Sequence, residues 1–359
     1  MIFEINMILD DEQHRLTIDT KNMFDTISQF PEHIIKTKEI IDSCEIPKMY
    51  NIQQVIVSGL GGSAISGDIL QSYTEDKGFL PLFVQRTYHL PKWINKHTLV
   101  FSQSYSGNTE ETLFAFKQAY EKKCTQISIT SNGKLLEYST NRHIPCIILP
   151  DGYEPRCAIA FLFFSSLFAL QKMGLFTNSI DKEIQETIDV TRKLIEQISP
   201  SIPVEQNMAK QISQILHHTI PQIYGWEIYT PLARRWATQF NENSKVISRH
   251  DTVPETNHND IVGWSEDLKV ASQFSVILFR DSSLESLQMK TRLDFMKTFY
   301  QQVAANLIEI PVHGKSPLAK MMYLLVLGDY VSCYLALLQN KDPTPVSIIN
   351  QLKDTLQRL

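Results

Sequence analysis

The fold of this chain is decided by one stretch, Gln54-Val-Ile-Val-Ser-Gly-Leu-Gly-Gly-Ser-Ala-Ile-Ser-Gly67. A short β-branched run leads into a glycine-rich loop and then into residues of helical period, which predicts a strand, a loop and a helix. Glycines let the loop come close to a ligand, and the free N–H groups at a helix start favour an anion. The chain has 13 glycines in 359 residues, roughly half of the usual share, and four of them lie at positions 59, 61, 62 and 67. We therefore expect this loop to have a functional use.

Four further strand-like runs follow this stretch, and segments of helical length separate most of them. The runs occupy residues 82–85, 98–101, 126–130 and 146–149. Alternating strands and helices predict a parallel sheet with helices on both faces. Ligands bind such sheets beyond the carboxyl ends of the strands, so we expect the chemistry in the loops that follow Ser58 and Ser102.

The remaining pattern predicts a second domain. Residues 1–50 are interpreted as a helical lead-in, 51–175 as the first sheet domain and 180–359 as another α/β unit, with strand-like runs at 270–279 and 304–310. The apolar run 157–170 is shorter than the ~20 residues that a membrane-spanning helix needs, so it predicts a buried core helix.

Composition excludes several classes of protein. A net charge of −5, from 34 basic and 39 acidic residues, argues against a nucleic-acid or anionic-membrane binder. The five cysteines form no CxxC pair and the ten histidines no HExxH arrangement, so we expect neither a disulfide framework nor a metal site. The first twenty residues lack the pattern of a secretory signal, and we expect a cytoplasmic protein.

The glycine-rich loop also fits part of a dinucleotide fingerprint, as Gly59-x-Gly61-x-x-Ala64. That fingerprint requires an acidic residue after the second strand to hold the ribose, and the chain has Gln85 and Arg86 there. Arg86 could instead hold a 2′-phosphate, so an NADP-dependent dehydrogenase remains an alternative.

The second loop, Ser104-Tyr-Ser-Gly-Asn-Thr-Glu-Glu-Thr112, is rich in hydroxyl groups. Ser104, Ser106 and Thr109 together with the start of the following helix suit a phosphate monoester. Asn108 or Thr109 could also simply cap that helix, and the two interpretations are compatible.

A glycine-rich loop and a hydroxyl-rich loop on neighbouring strands of a parallel sheet resemble the sugar isomerase (SIS) domain, which binds phosphosugars. Further stretches resemble the bifunctional phosphoglucose/phosphomannose isomerase family in the order found there. They are Gly152-Tyr-Glu-Pro-Arg156, Asn241-Glu-Asn-Ser-Lys245, Pro254-Glu-Thr-Asn-His-Asn-Asp-Ile-Val-Gly-Trp264 and Gly328-Asp-Tyr-Val with Asp342-Pro-Thr-Pro345. The chain departs from the family at Ser66, where glycine is more frequent, at Asp260, where glutamate is more usual, and over the first fifty residues.

The resemblance implies a fold of two SIS-like domains, each a parallel sheet flanked by helices in the flavodoxin-like manner. It also assigns catalytic roles to four residues. Glu242 would be the base that moves a proton between C1 and C2, His258 and Lys353 would open the sugar ring, and Arg156 would stabilise the enediolate. Taken alone, Glu242 could equally be a polar helix end, His258 a solvated loop residue and Lys353 a solvent-facing one.

The implied activity is aldose–ketose isomerisation of glucose 6-phosphate, and of mannose 6-phosphate, with fructose 6-phosphate, with no metal or organic cofactor. Ser104, Ser106 and Thr109 would bind the phosphate, Arg156 the reacting sugar, and Gly62 and Ser63 would line the sugar's side of the site. Related isomerases contribute the histidine from a neighbouring subunit, so the resemblance implies a homodimer with shared active sites. A non-catalytic phosphosugar-binding regulator built from two SIS-like halves is a further alternative.

Overall fold

The computed structural model describes residues 8–75, 77–176 and 179–356. Its contacts separate two compact units. The five-strand unit comprises Gln29–Asp189 and Lys315–Met321, and the four-strand unit comprises the described residues up to Ser28, Val190–Gly314 and those from Met322 onward. The first fifty residues are therefore divided between the units, since helices α1 (Glu12–Ile18) and α2 (Met23–Ser28) belong to the four-strand unit.

The five-strand unit alternates strands and helices along the chain. After α3 (Phe30–Ser43) come β1 (Gln54–Ser58), α4 (Gly62–Glu75), β2 (Leu82–Gln85), β3 (Thr98–Gln103), α5 (Glu110–Glu121), β4 (Thr125–Thr130), α6 (Gly133–Asn141), β5 (Cys146–Ile148) and α7 (Ile159–Lys172). All strands are parallel in the order β2-β1-β3-β4-β5, which is the flavodoxin-like order. The five predicted strands are confirmed, with ends that differ by one or two residues.

The core of this unit follows from its apolar elements. All six residues of β3 are buried, and so are the twelve residues of α7 from Ile159 to Leu170. A helix that is apolar on every side packs inside a protein, and the prediction of a core helix there is confirmed.

The four-strand unit repeats the same arrangement with one strand fewer. Beyond α8 (Asp181–Ile198) it contains α9 (Met208–Leu216), β6 (Ile220–Trp226), α10 (Thr230–Gln239), a π-helical turn (Phe240–Ser244), β7 (Arg249–Val253), α11 (Asp260–Glu266), α12 (Leu268–Ala271), β8 (Phe274–Arg280), α13 (Leu287–Val303), β9 (Asn306–Pro311), α14 (Pro317–Leu338) and α15 (Ser347–Leu356). Its strands are parallel in the order β7-β6-β8-β9. The fold class predicted from the sequence, two parallel sheets flanked by helices, is confirmed.

Some sequence predictions for this unit were wrong in detail. The run 270–279 is not one strand, because α12 ends at Ala271 and β8 begins at Phe274. The run 304–310 corresponds to β9, which begins at Asn306 and ends at Pro311. Helix α15 is described to Leu356, and residues 357–359 lie outside the described residues.

Strands β6 and β7 carry no clear strand signal in the sequence. Pro221 and Gly225 interrupt β6, and both residue types weaken a strand prediction. Strand β7 begins Arg-His-Asp and lies at the edge of the sheet, where its first residues are exposed.

Among the described residues, α14 is the one helix long and apolar enough to cross a membrane. Its most apolar 18-residue window is entirely buried inside the protein. Core helices of globular proteins show the same burial.

Candidate active site

The hydroxyl-rich loop joins the end of β3 to the start of α5. The side-chain oxygens of Ser104 and Thr109 lie 2.9 Å apart, and the amide of Thr109 donates to Ser104 Oγ over 3.4 Å. Ser104 is buried, whereas Ser106 and Thr109 are partly exposed. The three hydroxyl residues are therefore brought together by one short loop at the carboxyl end of a central strand.

Helix capping does not account for these side chains. Thr109 occupies the N-cap position of α5, yet its side chain makes no capping hydrogen bond. The side chain of Asn108 bonds the carbonyl of Ser106 and the amide of Lys134 instead. The loop thus presents hydroxyl groups beside a helix N-terminus whose positive dipole end favours an anion.

Gly107 allows this loop to close against the next one. Its φ is +68°, and a Cβ built there would lie 1.7 Å from the carbonyl oxygen of Asn132. Any side chain at position 107 would force the hydroxyl loop away from the end of β4.

Three glycines of the first stretch, Gly59, Gly62 and Gly67, make room for neighbouring atoms of the protein itself. A Cβ on Gly59 would lie 2.9 Å from the carbonyl oxygen of Gln103, and one on Gly67 would lie 2.9 Å from Val57 Cγ1. A Cβ on Gly62 would lie 2.9 Å from the carbonyl oxygen of Pro155. Gly62 therefore lies beside Arg156, and Ser63 follows it as a buried residue in the first turn of α4.

Arg156 lies in the turn before α7, whose first helical residue is Ile159. Its side chain is only 3% exposed and forms an ion pair with Glu154 over 3.6 Å. The carbonyl of Glu154 accepts the amides of Cys157 and Ala158. The guanidinium is therefore held on a short, hydrogen-bonded turn after the fifth strand.

Glu242 lies in the four-strand unit, in the π-helical turn that ends α10. The turn closes at Lys245, which has a left-handed backbone with φ 58°. Lys245 Nζ donates to the carbonyls of Glu242 (2.5 Å), Asn243 (3.3 Å) and Pro343 (3.2 Å). The ammonium group of Lys245 thus accounts for several backbone carbonyl oxygens at this turn.

Side chains next to Glu242 fix the same backbone. Asn243 Nδ2 donates to Ser332 Oγ over 2.9 Å, and Ser244 Oγ donates to the carbonyl of Ser332 over 2.6 Å. Both residues are fully buried, while Glu242 keeps partial exposure. A carboxylate with solvent access is therefore carried on a rigid turn, as a general base requires.

A buried ion pair lies behind this turn. Arg235 donates to both carboxylate oxygens of Asp329, from Nε over 3.1 Å and from an NH group over 2.9 Å. Gln239 Nε2 donates to the same carboxylate over 2.9 Å. Arg235 lies in no motif that the sequence reveals, and the stretch beginning Gly328-Asp is the signal that could have found its partner, Asp329.

His258 ends a 3-10 turn, Glu255–His258, and its side chain is exposed. The carboxylate of Asp260, two residues later, accepts hydrogen bonds from Tyr224 (2.8 Å), Trp264 (3.0 Å) and Thr256 (3.3 Å). Burial raises the pKa of Asp260. The hydrogen bonds from Tyr224 and Trp264 and the charge of Arg249 together lower this pKa by more than burial raises it, so that it lies below its ordinary value. An ionised Asp260 thereby anchors the segment that carries His258.

Lys353 lies on α15, and its side chain is exposed. The three proposed catalytic residues of the four-strand unit, Glu242, His258 and Lys353, thus come from three separate elements.

Arg86 and the metal-ligating residue types are the groups that could hold a cofactor or a metal ion. Arg86 forms an ion pair with Asp68 of α4 and also donates to the carbonyl of Ala64, so the arginine required for a 2′-phosphate is already engaged. Within residues 8–75, 77–176 and 179–356, no group of three or more His, Cys, Asp or Glu side chains could hold a metal ion.

Comparison with known proteins gives a consistent result. Residues 205–356 match the family described as bacterial phospho-glucose isomerase C-terminal SIS domain. The bifunctional phosphoglucose/phosphomannose isomerase of Caldicellulosiruptor bescii is 38% identical over 94% of this chain and 99% of that protein. The protein of the same description from Aquifex aeolicus is 32% identical over 85% of this chain and 90% of its own length.

A solved structure agrees in fold. Tagatose-6-phosphate ketose/aldose isomerase from Escherichia coli superposes with a TM-score of 0.68 at 15% identity, covering 90% of this chain and 95% of that chain. Two parallel sheets with a hydroxyl-rich loop after a central strand define the class of SIS-domain proteins. Within that class, the chain belongs to the bifunctional phosphoglucose/phosphomannose isomerase family.

Proposed function

We propose that this chain is an aldose–ketose isomerase that interconverts glucose 6-phosphate and mannose 6-phosphate with fructose 6-phosphate. Its membership of a family whose relatives carry that description supports the activity. The observation that carries the mechanism is the rigid turn that presents Glu242, since the proton transfer needs a carboxylate in a fixed place.

The phosphate would bind the hydroxyl-rich loop. Ser104, Ser106 and Thr109 supply hydroxyl donors, and the start of α5 adds its dipole. This attachment would leave the sugar carbons free to reach the catalytic groups. Gly62 and Ser63 would line the sugar side, where Gly62 already lies against the Arg156 turn.

The chemical step would use the four residues to which the resemblance assigns catalytic roles. His258 and Lys353 would open the ring by giving a proton to the ring oxygen and taking one from the anomeric hydroxyl. Glu242 would then take the proton from one carbon and return it to the neighbouring carbon. Arg156 would stabilise the negative charge of the enediolate, and its buried, fixed guanidinium suits this role because preorganised charge needs no rearrangement during the reaction.

We also propose a cytoplasmic homodimer. All five cysteines are free, as is usual for proteins kept in a reducing compartment. Helix α15, which carries Lys353, exposes Ile348, Leu352 and Leu356 at intervals of four residues. An apolar stripe of this kind favours a protein partner, and a second copy of the chain is the partner expected from the family.

The proposal is tested by a coupled assay of the purified protein with fructose 6-phosphate, in which glucose 6-phosphate and mannose 6-phosphate are measured as products. We expect both products, and we expect Glu242→Gln to lower kcat by on the order of 10²- to 10⁴-fold. The matched control is Glu266→Gln, on the exposed end of α11, which should leave kcat unchanged. Absence of turnover by the wild-type protein, or full turnover by Glu242→Gln, would contradict the mechanism.

The alternatives make different predictions in the same assay. A non-catalytic regulator would bind fructose 6-phosphate without product, and Glu242→Gln would not alter that binding. An NADP-dependent dehydrogenase would change the absorbance of the nicotinamide, and it would depend on Arg86, which the structure pairs with Asp68.

A further inference from the structure

The hydroxyl-rich loop contains one side chain to which the proposed path gives no role. Tyr105 lies between Ser104 and Ser106, and its side chain is buried, with 5% exposure. Its hydroxyl group donates to the carbonyl of Pro150 over 2.8 Å and accepts the amide hydrogen of Tyr153 over 3.0 Å. This side chain therefore connects the hydroxyl-rich loop to the segment that leads to Arg156.

The backbone of Tyr105 is attached separately to the end of β4. Its carbonyl accepts the amide of Ser131 over 3.0 Å and the hydroxyl of Ser131 over 2.7 Å. The preceding residue, Ser104, donates its amide to the carbonyl of Ile129. One residue thus joins the carboxyl ends of three neighbouring strands, β3, β4 and β5.

The segment that Tyr105 holds is short, since it joins the end of β5 at Ile148 to Arg156. It contains Gly152 with φ +86°, and it turns into α7 through the carbonyl of Glu154. The ring of Tyr153 packs edge-on to His33, with centroids 4.9 Å apart. The Tyr105 hydroxyl clamps this turn at both ends, at Pro150 and at Tyr153, three residues before Arg156.

Tyr105 is suited to a permanent clamp because its hydroxyl keeps its proton. Burial raises the pKa of Tyr105 to about 12. The hydroxyl therefore remains both a hydrogen-bond donor and an acceptor over the whole pH range in which the enzyme would work.

We propose that Tyr105 is a positioning residue, which couples the hydroxyl-rich loop to the turn that presents Arg156. The inference rests on the proposed function, in which the two loops bind opposite ends of one substrate. A phosphate held by Ser104 and Thr109 is then tied, through the Tyr105 ring and hydroxyl, to a guanidinium at a fixed distance. The clamp serves the reaction step rather than the binding of phosphate, because the hydrogen bonds between Ser104 and Thr109 do not involve the Tyr105 hydroxyl.

The first test is the variant Tyr105→Phe, which removes one oxygen atom. We expect kcat with fructose 6-phosphate to fall about tenfold, since two hydrogen bonds that fix the Arg156 turn are lost. The inhibition constant of inorganic phosphate should change less than about twofold. The matched control is Tyr73→Phe, which removes another buried tyrosine hydroxyl, the one that donates to Glu183 over 3.0 Å, and it should leave kcat unchanged.

A double-mutant cycle shows whether the effect passes through Arg156. In the Arg156→Lys background, Tyr105→Phe should lower kcat less than about twofold, because the group that it positions is already altered. Equal losses in both backgrounds, or a loss of phosphate inhibition that matches the loss of kcat, would overturn the proposal.

Hydrogen exchange of the Tyr153 amide tests the clamp without any turnover. We expect faster exchange at Tyr153 in Tyr105→Phe and unchanged exchange there in Tyr73→Phe. Unchanged exchange in Tyr105→Phe would overturn the clamp even in an active enzyme. A wild-type protein without isomerase activity would instead contradict the proposed function, and the two failures are therefore distinguished.

Discussion

The hydroxyl of Tyr224 on β6 donates to Asp260 at the start of α11 over 2.8 Å, and the hydroxyl of Tyr300 donates in turn to Tyr224 over 2.7 Å. The two tyrosine rings are stacked, with centroids 5.4 Å apart. This buried chain of hydrogen bonds connects the four-strand core to the short turn that ends at His258. Because Asp260 also accepts from Thr256 within that turn, the carboxylate sets the position of the proposed ring-opening histidine.

Replacement of Asp260 should therefore affect catalysis. We expect Asp260→Asn to lower kcat about tenfold, since an amide cannot accept from all of its present donors. Asp260→Glu is the matched control, because glutamate is the more usual residue in the family, and it should retain most of the activity. Steady-state kinetics with fructose 6-phosphate measures kcat of both variants. Equal activity of Asp260→Asn and the wild type would show that His258 does not need the Asp260 carboxylate as an anchor.

Removal of a hydroxyl group from the hydroxyl-rich loop should lower the affinity for phosphate rather than the rate of the chemical step. Thr109→Ala should raise the inhibition constant of inorganic phosphate roughly 10- to 100-fold, because a hydrogen bond to a charged group is lost. Thr140→Ala, on α6, removes a hydroxyl that bonds only within its own helix, and it serves as the control. Competitive inhibition in the coupled assay gives both constants, and an unchanged constant for Thr109→Ala would remove this threonine from the phosphate site.

The buried pair of Arg235 and Asp329 predicts a loss of stability. Asp329→Leu should lower the free energy of unfolding by about 3 to 5 kcal/mol, because it leaves the buried guanidinium without its carboxylate. Lys290→Gln breaks the exposed pair with Asp294, which should cost less than about 1 kcal/mol. Urea denaturation measures the difference, and similar midpoints for the two variants would contradict the role assigned to the buried pair.

His33 predicts a loss of stability in acid. Burial lowers its pKa to about 4, with a contribution from the nearby charge of Lys36, so the unfolded chain binds a proton at a higher pH than the folded protein does. The free energy of unfolding should therefore fall as the pH drops through the range between the unfolded pKa and about 4. The loss from this group amounts to about 2 kcal/mol between pH 8 and pH 5.

The variant His33→Phe removes this titration and keeps an aromatic ring beside Phe161, whose ring the imidazole now stacks on. Urea denaturation at pH 8 and pH 5 should show a smaller acid loss for His33→Phe than for the wild type. His89→Gln, at an exposed site, should keep the wild-type pH dependence. An identical acid loss in the wild type and His33→Phe would show that folding does not lower the pKa of His33.

The first sheet, the two loops and the family could be predicted from the sequence alone. The runs that became β1 to β5 are β-branched or apolar, and the period of the segments between them is helical, so each element is encoded in neighbouring residues. Glycines 59 to 67 and the hydroxyls of 104 to 109 are likewise local signals. Strands β6 and β7 were not predictable in this way, because proline, glycine and charged residues hide strands that only their place in the sheet stabilises.

The contacts that hold the candidate groups in place are visible only in the folded chain. Arg235 and Asp329 are 94 positions apart, Asn243 and Ser332 are 89 apart, and Tyr105 and Tyr153 are 48 apart. No local pattern relates such residues, because hydrogen bonds between distant segments form only after the strands and helices have packed. The residues proposed to act on the sugar could thus be named from the sequence through its resemblance to a family, whereas the residues that hold them in place became visible only in the folded chain.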